Sequence, residues 1–233
     1  YPPGAALLAA PLYAVSPNKL REVILHRPAN PEVPSVKILL PSFWQATAIA
    51  VISTAAAIAF LGLIFFSQGS PKEAWIASWL AGLGTSAWSI ASDMLWQHGP
   101  AMLWIALGLF MSLHRHWWLS GLAFGAGVLT RPHTAVIPVC VGLACAFNER
   151  SFLVIWKLGL AAFSGLVILV VYNYFVFGSL SIASGYDSAI RGASTNLIKN
   201  LFSADIMFFL KNFFGGMFDL RVGLLVWSPF WFY

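Results

Sequence analysis

An all-α fold, a polytopic transmembrane helical bundle, is what this sequence predicts, and three observations predict it. Charged residues make up 9% of the 233 positions and hydrophobic ones 59%, whereas a soluble domain carries about 25% charged residues. The apolar residues come in long unbroken runs, not in the alternating ten-residue segments of a membrane barrel. Many of the eleven tryptophans, such as Trp44, Trp75, Trp117, Trp118, Trp156 and Trp227, stand at the ends of those runs, as in an interfacial belt. In lipid every backbone amide needs an internal partner, and runs of this kind meet that need as helices.

Residues 1–15, "YPPGAALLAAPLYAV", fall short of the roughly 20 needed to cross and read as an interfacial or half-inserted helix. Residues 16–40 hold four prolines and six charges and read as a loop. Ile38 to Phe66 carries no charge and is long enough to cross. "SQGSPKE" makes a turn in which Ser70-Pro71 starts a helix. Ala74 to Ser92 reads as a second full span. Pro100 to Leu113 follows, bounded by "HRHWW". Trp117 to Thr130 and Thr134 to Phe147 form a short pair split by "RPH". Ser151 to Phe177 is a long span, with Lys157 placed to snorkel.

Residues 178–221 are polar enough to form an extramembrane segment. Within it "SADIMFFLKNFFGGMF" reads as an amphipathic surface helix in a late outer loop, with Ser203 as N-cap. A last span starts near Val222. The domain organisation is one transmembrane domain over 1–233. The start at Tyr1 and the end inside an apolar run read as a fragment of a longer protein.

The formal charge of +5 is no nucleic-acid signal, because the 13 Lys and Arg are scattered and never form a basic tract. Cys140 and Cys145 are five residues apart on one run, about 140° apart around a helix, and read as unpaired packing residues. Gly121-x-x-x-Gly125, with Gly82 and Gly84, offers small surfaces for close helix approach. No Walker-type loop, G-x-S-x-G elbow or H-x-x-x-H pair occurs, which argues against nucleotide-phosphate, serine-hydrolase and zinc chemistry.

Ionisable groups at membrane depth mark functional candidates. Asp93 and His98 sit in "SDMLWQHGP", at a helix–loop junction; Arg131 and His133 sit in "TRPHT". Two apolar runs, 100–113 and 117–130, separate those turns. If both runs cross, the turns share one face, joined there by Asp187, Arg191 and Arg221. A rim of mixed charge suits an anionic, phosphate-bearing substrate, for which arginine is the natural bidentate partner. "HRH" at 114–116 then lies on the opposite face as a headgroup contact.

Four segments in order, "YPPG" (1–4), "GTSAWSIASDMLWQHGP" (84–100), "GLAFGAGVLTRPHTAVIP" (121–138) and "DLRVGLLVWSP" (219–229), resemble the GT-C superfamily of membrane glycosyltransferases. The likeness is to the protein O-mannosyltransferase and aminoarabinose-transferase group. The resemblance implies an enzyme that moves a sugar from a polyprenyl-phosphate donor to an envelope or protein acceptor. It implies a multi-pass protein of the bacterial inner membrane, with that donor and membrane lipids as partners. The general-base aspartate would lie upstream of Tyr1, so this chain alone would be inactive. Asp93 matches an acidic position that orients substrate or holds a divalent metal. Arg131 matches the "LTRP" arginine, and Arg221 the arginine of the last segment. The substrate-binding candidates are therefore Asp93, His98, Arg131, His133 and Arg221. The resemblance faces these residues outward; the distribution of Lys and Arg favours the reverse orientation, although a lipid-phosphate site would itself use basic residues.

Two other classes compete. A transporter or lipid flippase would show paired repeats and broken midplane helices, and no repeat is present. A non-catalytic subunit that binds a carrier lipid would share the basic rim without the base.

Overall fold

Proline, glycine and short polar stretches set the helix ends in this chain. The computed structural model describes residues 2–16, 21–25, 36–40, 43–85, 87, 91–92, 95, 97–182, 184 and 214. Helix α1 spans Gly4–Val15, α2 Phe43–Gln68, α3 Pro71–Leu83 and α4 His98–Leu113. Helix α5 spans Trp117–Thr130, a 3₁₀ turn takes Pro132–Ala135, and α6 (Val136–Glu149) and α7 (Leu153–Phe177) follow. The fold is helical apart from a two-stranded antiparallel ribbon, β1 (Arg21–Leu25) and β2 (Val36–Leu40). Among the described residues two helices, α2 and α7, are long and apolar enough to cross a bilayer.

Local chemistry explains the boundaries. At the start of α3 the Ser70 hydroxyl accepts from the Glu73 amide at 3.3 Å. The Glu73 carboxylate accepts from the Ser70 amide at 2.9 Å. This capping box, with Pro71 in the first turn, satisfies donors that a helix start leaves open. Helix α7 ends at Gly178, whose φ of 67° is the left-handed stop that glycine adopts without strain. Arg115 and Arg150 end α4 and α6 at φ 60° and 51°, a conformation side chains rarely adopt.

Three expectations change. Residues 16–40 are not all loop: Val23 pairs with Ile38 in the ribbon. Each strand carries β-branched residues, and Pro28, Pro31 and Pro34 fall between the strands where no ladder is broken. The charge-free run from Ile38 therefore gives its first residues to β2, and α2 begins at Phe43. The span read over 74–92 is not one helix, because α3 stops at Leu83. Gly82 and Gly84 disfavour helix, and Thr85 turns its hydroxyl back to the Ala81 carbonyl at 2.6 Å. His98, read at a helix–loop junction, is the first residue of α4. The surface helix beginning at Ser203, the rest of the 185–221 segment apart from Phe214, and the last span lie outside the described residues.

Close helix approaches organise the rest. Helices α4 and α5 form an antiparallel hairpin. The Ser112 and Ser120 hydroxyls meet at 2.7 Å near its turn, and Ser120 also donates to the Gly108 carbonyl at 2.9 Å. The Phe124 ring fills the notch at Gly108, where an added Cβ would lie 2.6 Å from Cε1. Helix α2 runs parallel to α4, with Phe60 and Phe110 ring centroids 5.5 Å apart. Helix α3 returns along α2, Gly82 against Ile58. Helices α5 and α7 run parallel and touch at backbone level: a Cβ on Gly165 would sit 2.6 Å from the Gly125 Cα. The Gly121-x-x-x-Gly125 stripe is this contact, and Gly165 is its partner on α7. Phe124, Leu158 and Ala162 form the buried cluster around it.

The interior is built from small residues and the outside from large ones. Ala50, Ala57, Ala106, Ala123, Ala161 and Ser120 are buried, while Phe147, Phe152 and Phe175 are 81–82% exposed.

Candidate functional site

The site grows out of a proline. Arg131 precedes Pro132, and the proline ring disfavours helical geometry in the residue before it. Arg131 is accordingly extended, at φ −144° and ψ 102°, and ends α5. Its carbonyl accepts from the Thr134 hydroxyl at 2.8 Å and the Thr134 amide at 2.9 Å. Its own amide donates to the Gly127 carbonyl at 2.8 Å. The guanidinium thus projects from a backbone fixed on both sides.

The guanidinium meets His98 at the start of α4: Arg131 Nη1 donates to His98 Nδ1 at 2.7 Å, across 33 positions of sequence. Arginine is never an acceptor, so His98 Nδ1 presents its lone pair and the ring proton resides on Nε2. Burial lowers the His98 pKa first, and the positive charge of Arg131 and the nearby His133 lower it further. His133 is lowered for the same reasons, burial and then Arg131. Both rings therefore stay neutral more readily than a free imidazole, beside one fixed positive charge. The Arg131 Nε is buried and has no hydrogen-bond partner, and among the described residues no carboxylate pairs with Arg131.

Two further segments close on this end. Gly4 of α1 packs directly on Thr130, with an added Cβ falling 2.6 Å from the Thr130 Cα, and Pro2, Pro3 and Gly4 are buried. Gly99, next to His98, lies against the Ala91 carbonyl and the Thr54 hydroxyl, at 2.8 and 2.9 Å from an added Cβ. Only hydrogen fits there, so Gly99 lets the start of α4 approach α2. Gly4, His98 with Gly99, and Thr130 with Arg131 thus come together at one end of the bundle.

Of the residues singled out from sequence, His98, Arg131 and His133 gather. Asp93 and Arg221 lie outside the described residues, as do Asp187 and Arg191. Among the described residues no group of three His, Cys, Asp or Glu side chains could hold a metal ion. Sequence reasoning missed Gly4 and Thr130, which form the packing floor beside Arg131. The small residue after "YPP" and the threonine before "RP" were the available signals.

No family model, curated protein or solved structure matches the chain.

Proposed function

We propose that this chain is a multi-pass integral membrane protein whose Arg131 end binds the phosphate of a polyprenyl-phosphate sugar donor. It would serve a glycosyltransferase of the inner membrane. One observation carries the reading: Arg131 is fixed by Pro132, Thr134 and His98, yet its charge has no carboxylate partner among the described residues and its Nε no acceptor. A half-buried guanidinium with no carboxylate partner among the described residues favours an incoming anion, and phosphate matches its fork.

The membrane part rests on the reversed packing. Lipid gives no hydrophobic drive for large side chains to hide, so helices associate through Ala, Gly and Ser while Phe, Trp and Leu face outward. That is the arrangement of α5 against α7, beside the exposed Trp75, Trp156 and Phe175. Asp93 would orient the sugar or hold a divalent metal, and Arg221 would add a second cation.

A second reading, a carrier-lipid-binding subunit without chemistry, draws on the same Arg131 site, because holding a phosphate needs no proton acceptor. One experiment separates the two. Sugar transfer from a labelled polyprenyl-phosphate donor is measured with the full-length protein, with and without Arg131→Ala. Transfer that falls at least tenfold in the variant, about the worth of one charged hydrogen bond, supports the enzyme. Donor binding without any transfer supports the subunit.

A further inference from the structure

The opposite end of the bundle holds a cavity of about 520 Å³. It lies between the α4–α5 turn and the last turns of α6. Leu109, Val141 and Ala144 line it with apolar surface, and Trp117 stands beside them. At its edge Arg115 Nη2 and Glu149 Oε1 are 3.0 Å apart. The backbone brings the two residues to this end of the bundle. Arg115 occupies the left-handed position of the tight turn, and Glu149 is the last residue of α6. Arg115 is 71% exposed and Glu149 22%, so each still presents part of its surface outward.

A fixed positive and a fixed negative charge side by side, next to an apolar cavity, complement a ligand of matching form. A zwitterionic glycerophospholipid has that form: a phosphate, a two-carbon bridge, an ammonium and an apolar stem. An anionic headgroup would satisfy Arg115 but face the Glu149 carboxylate. A primary ammonium donates up to three hydrogen bonds to a carboxylate, whereas a trimethylated one donates none. Tryptophan at the polar–apolar boundary suits the glycerol level of such a lipid.

We propose that this cavity binds phosphatidylethanolamine, its phosphate on Arg115, its ammonium on Glu149 and its stem against Leu109 and Val141. The proposal rests on the membrane reading above and is independent of the Arg131 site. The test is native mass spectrometry of the full chain in detergent with added phosphatidylethanolamine, phosphatidylcholine or phosphatidylglycerol. The expected result is retention of phosphatidylethanolamine about tenfold above phosphatidylglycerol, as one charged hydrogen bond implies. Glu149→Gln keeps Arg115 and the cavity, so it should abolish that preference and raise phosphatidylglycerol retention. Equal retention of the three lipids by the unaltered chain overturns the proposal. So does a uniform loss of all three in the variant, which is what a merely structural ion pair would give. Carbonate extraction of membranes keeps the two readings apart. Release of the chain refutes membrane integration and this site together, whereas a retained chain without headgroup preference refutes this site alone.

Discussion

Arg131 donates to His98 Nδ1 at 2.7 Å, and the direction of that bond is fixed because a guanidinium has nothing to accept with. Protonating His98 would place two donors against each other. The folded pKa of His98 is lowered from 6.5 by burial, by Arg131 and by His133. The unfolded chain therefore binds more protons in that window, and stability rises with pH there. The contribution is fully present above 6.5 and is lost as pH falls through the lowered folded value. Denaturation midpoints of the chain in detergent, measured from pH 7.5 to 5, should fall more for the unaltered protein than for His98→Gln. Parallel curves would contradict the bond.

The α5–α7 contact predicts opposite outcomes for two glycines on one helix. Gly165 meets the Gly125 backbone, so Gly165→Ala forces the helices apart and should cost about 1–3 kcal/mol, the range for overpacking. At Gly159 an added Cβ meets nothing within 4 Å. Gly159→Ala should therefore stabilise by up to about 1 kcal/mol through helix propensity. Thermal unfolding of the two variants side by side checks the sign of each.

Ser112 and Ser120 are both buried and share the Gly108 carbonyl. Their coupling should be modest, about 0.6 kcal/mol, as for other interhelical hydrogen bonds within membranes. A double-mutant cycle with alanine at both positions measures it. A zero coupling would mean that the hydroxyls serve only as small surfaces.

At the start of α3 the backbone amide and hydroxyl of Ser70 hold the Glu73 carboxyl below its ordinary value of 4.5. Its contribution is present above 4.5 and disappears as pH falls through the lowered folded value. Ser70→Ala keeps the backbone amide and should only weaken that pH dependence, whereas Glu73→Gln should remove it; either change should fray α3, seen as faster amide exchange at Ala74 and Trp75.

Helix existence was legible where apolar runs were long, since α5 and α7 fall inside the runs at 117–130 and 151–177, and α2 fills the run at 38–66 from Phe43 and passes its end by two residues. The Ser70-Pro71 start was legible because a capping box is local chemistry. The ribbon was not, because strand pairing depends on the distant partner, and prolines between two strands resemble prolines throughout a loop. The stop at Leu83 was hidden by apolar composition, which continues past it through Ala87 and Ala91. At the site, the meeting of His98 with Arg131 followed from counting helices between two turns. The packing of Gly4 on Thr130 did not follow from sequence, because small-residue contacts carry no periodic signal.

The most direct measurement of the Arg131 reading is equilibrium binding of a short-chain polyprenyl phosphate to the chain in detergent, followed by ³¹P NMR. The account predicts a phosphorus shift on binding that is lost, with affinity falling about tenfold or more, in Arg131→Ala. It also predicts a smaller loss in Arg131→Lys, which keeps the charge but not the fork. Binding of equal strength to Arg131→Ala and to the unaltered chain would contradict it.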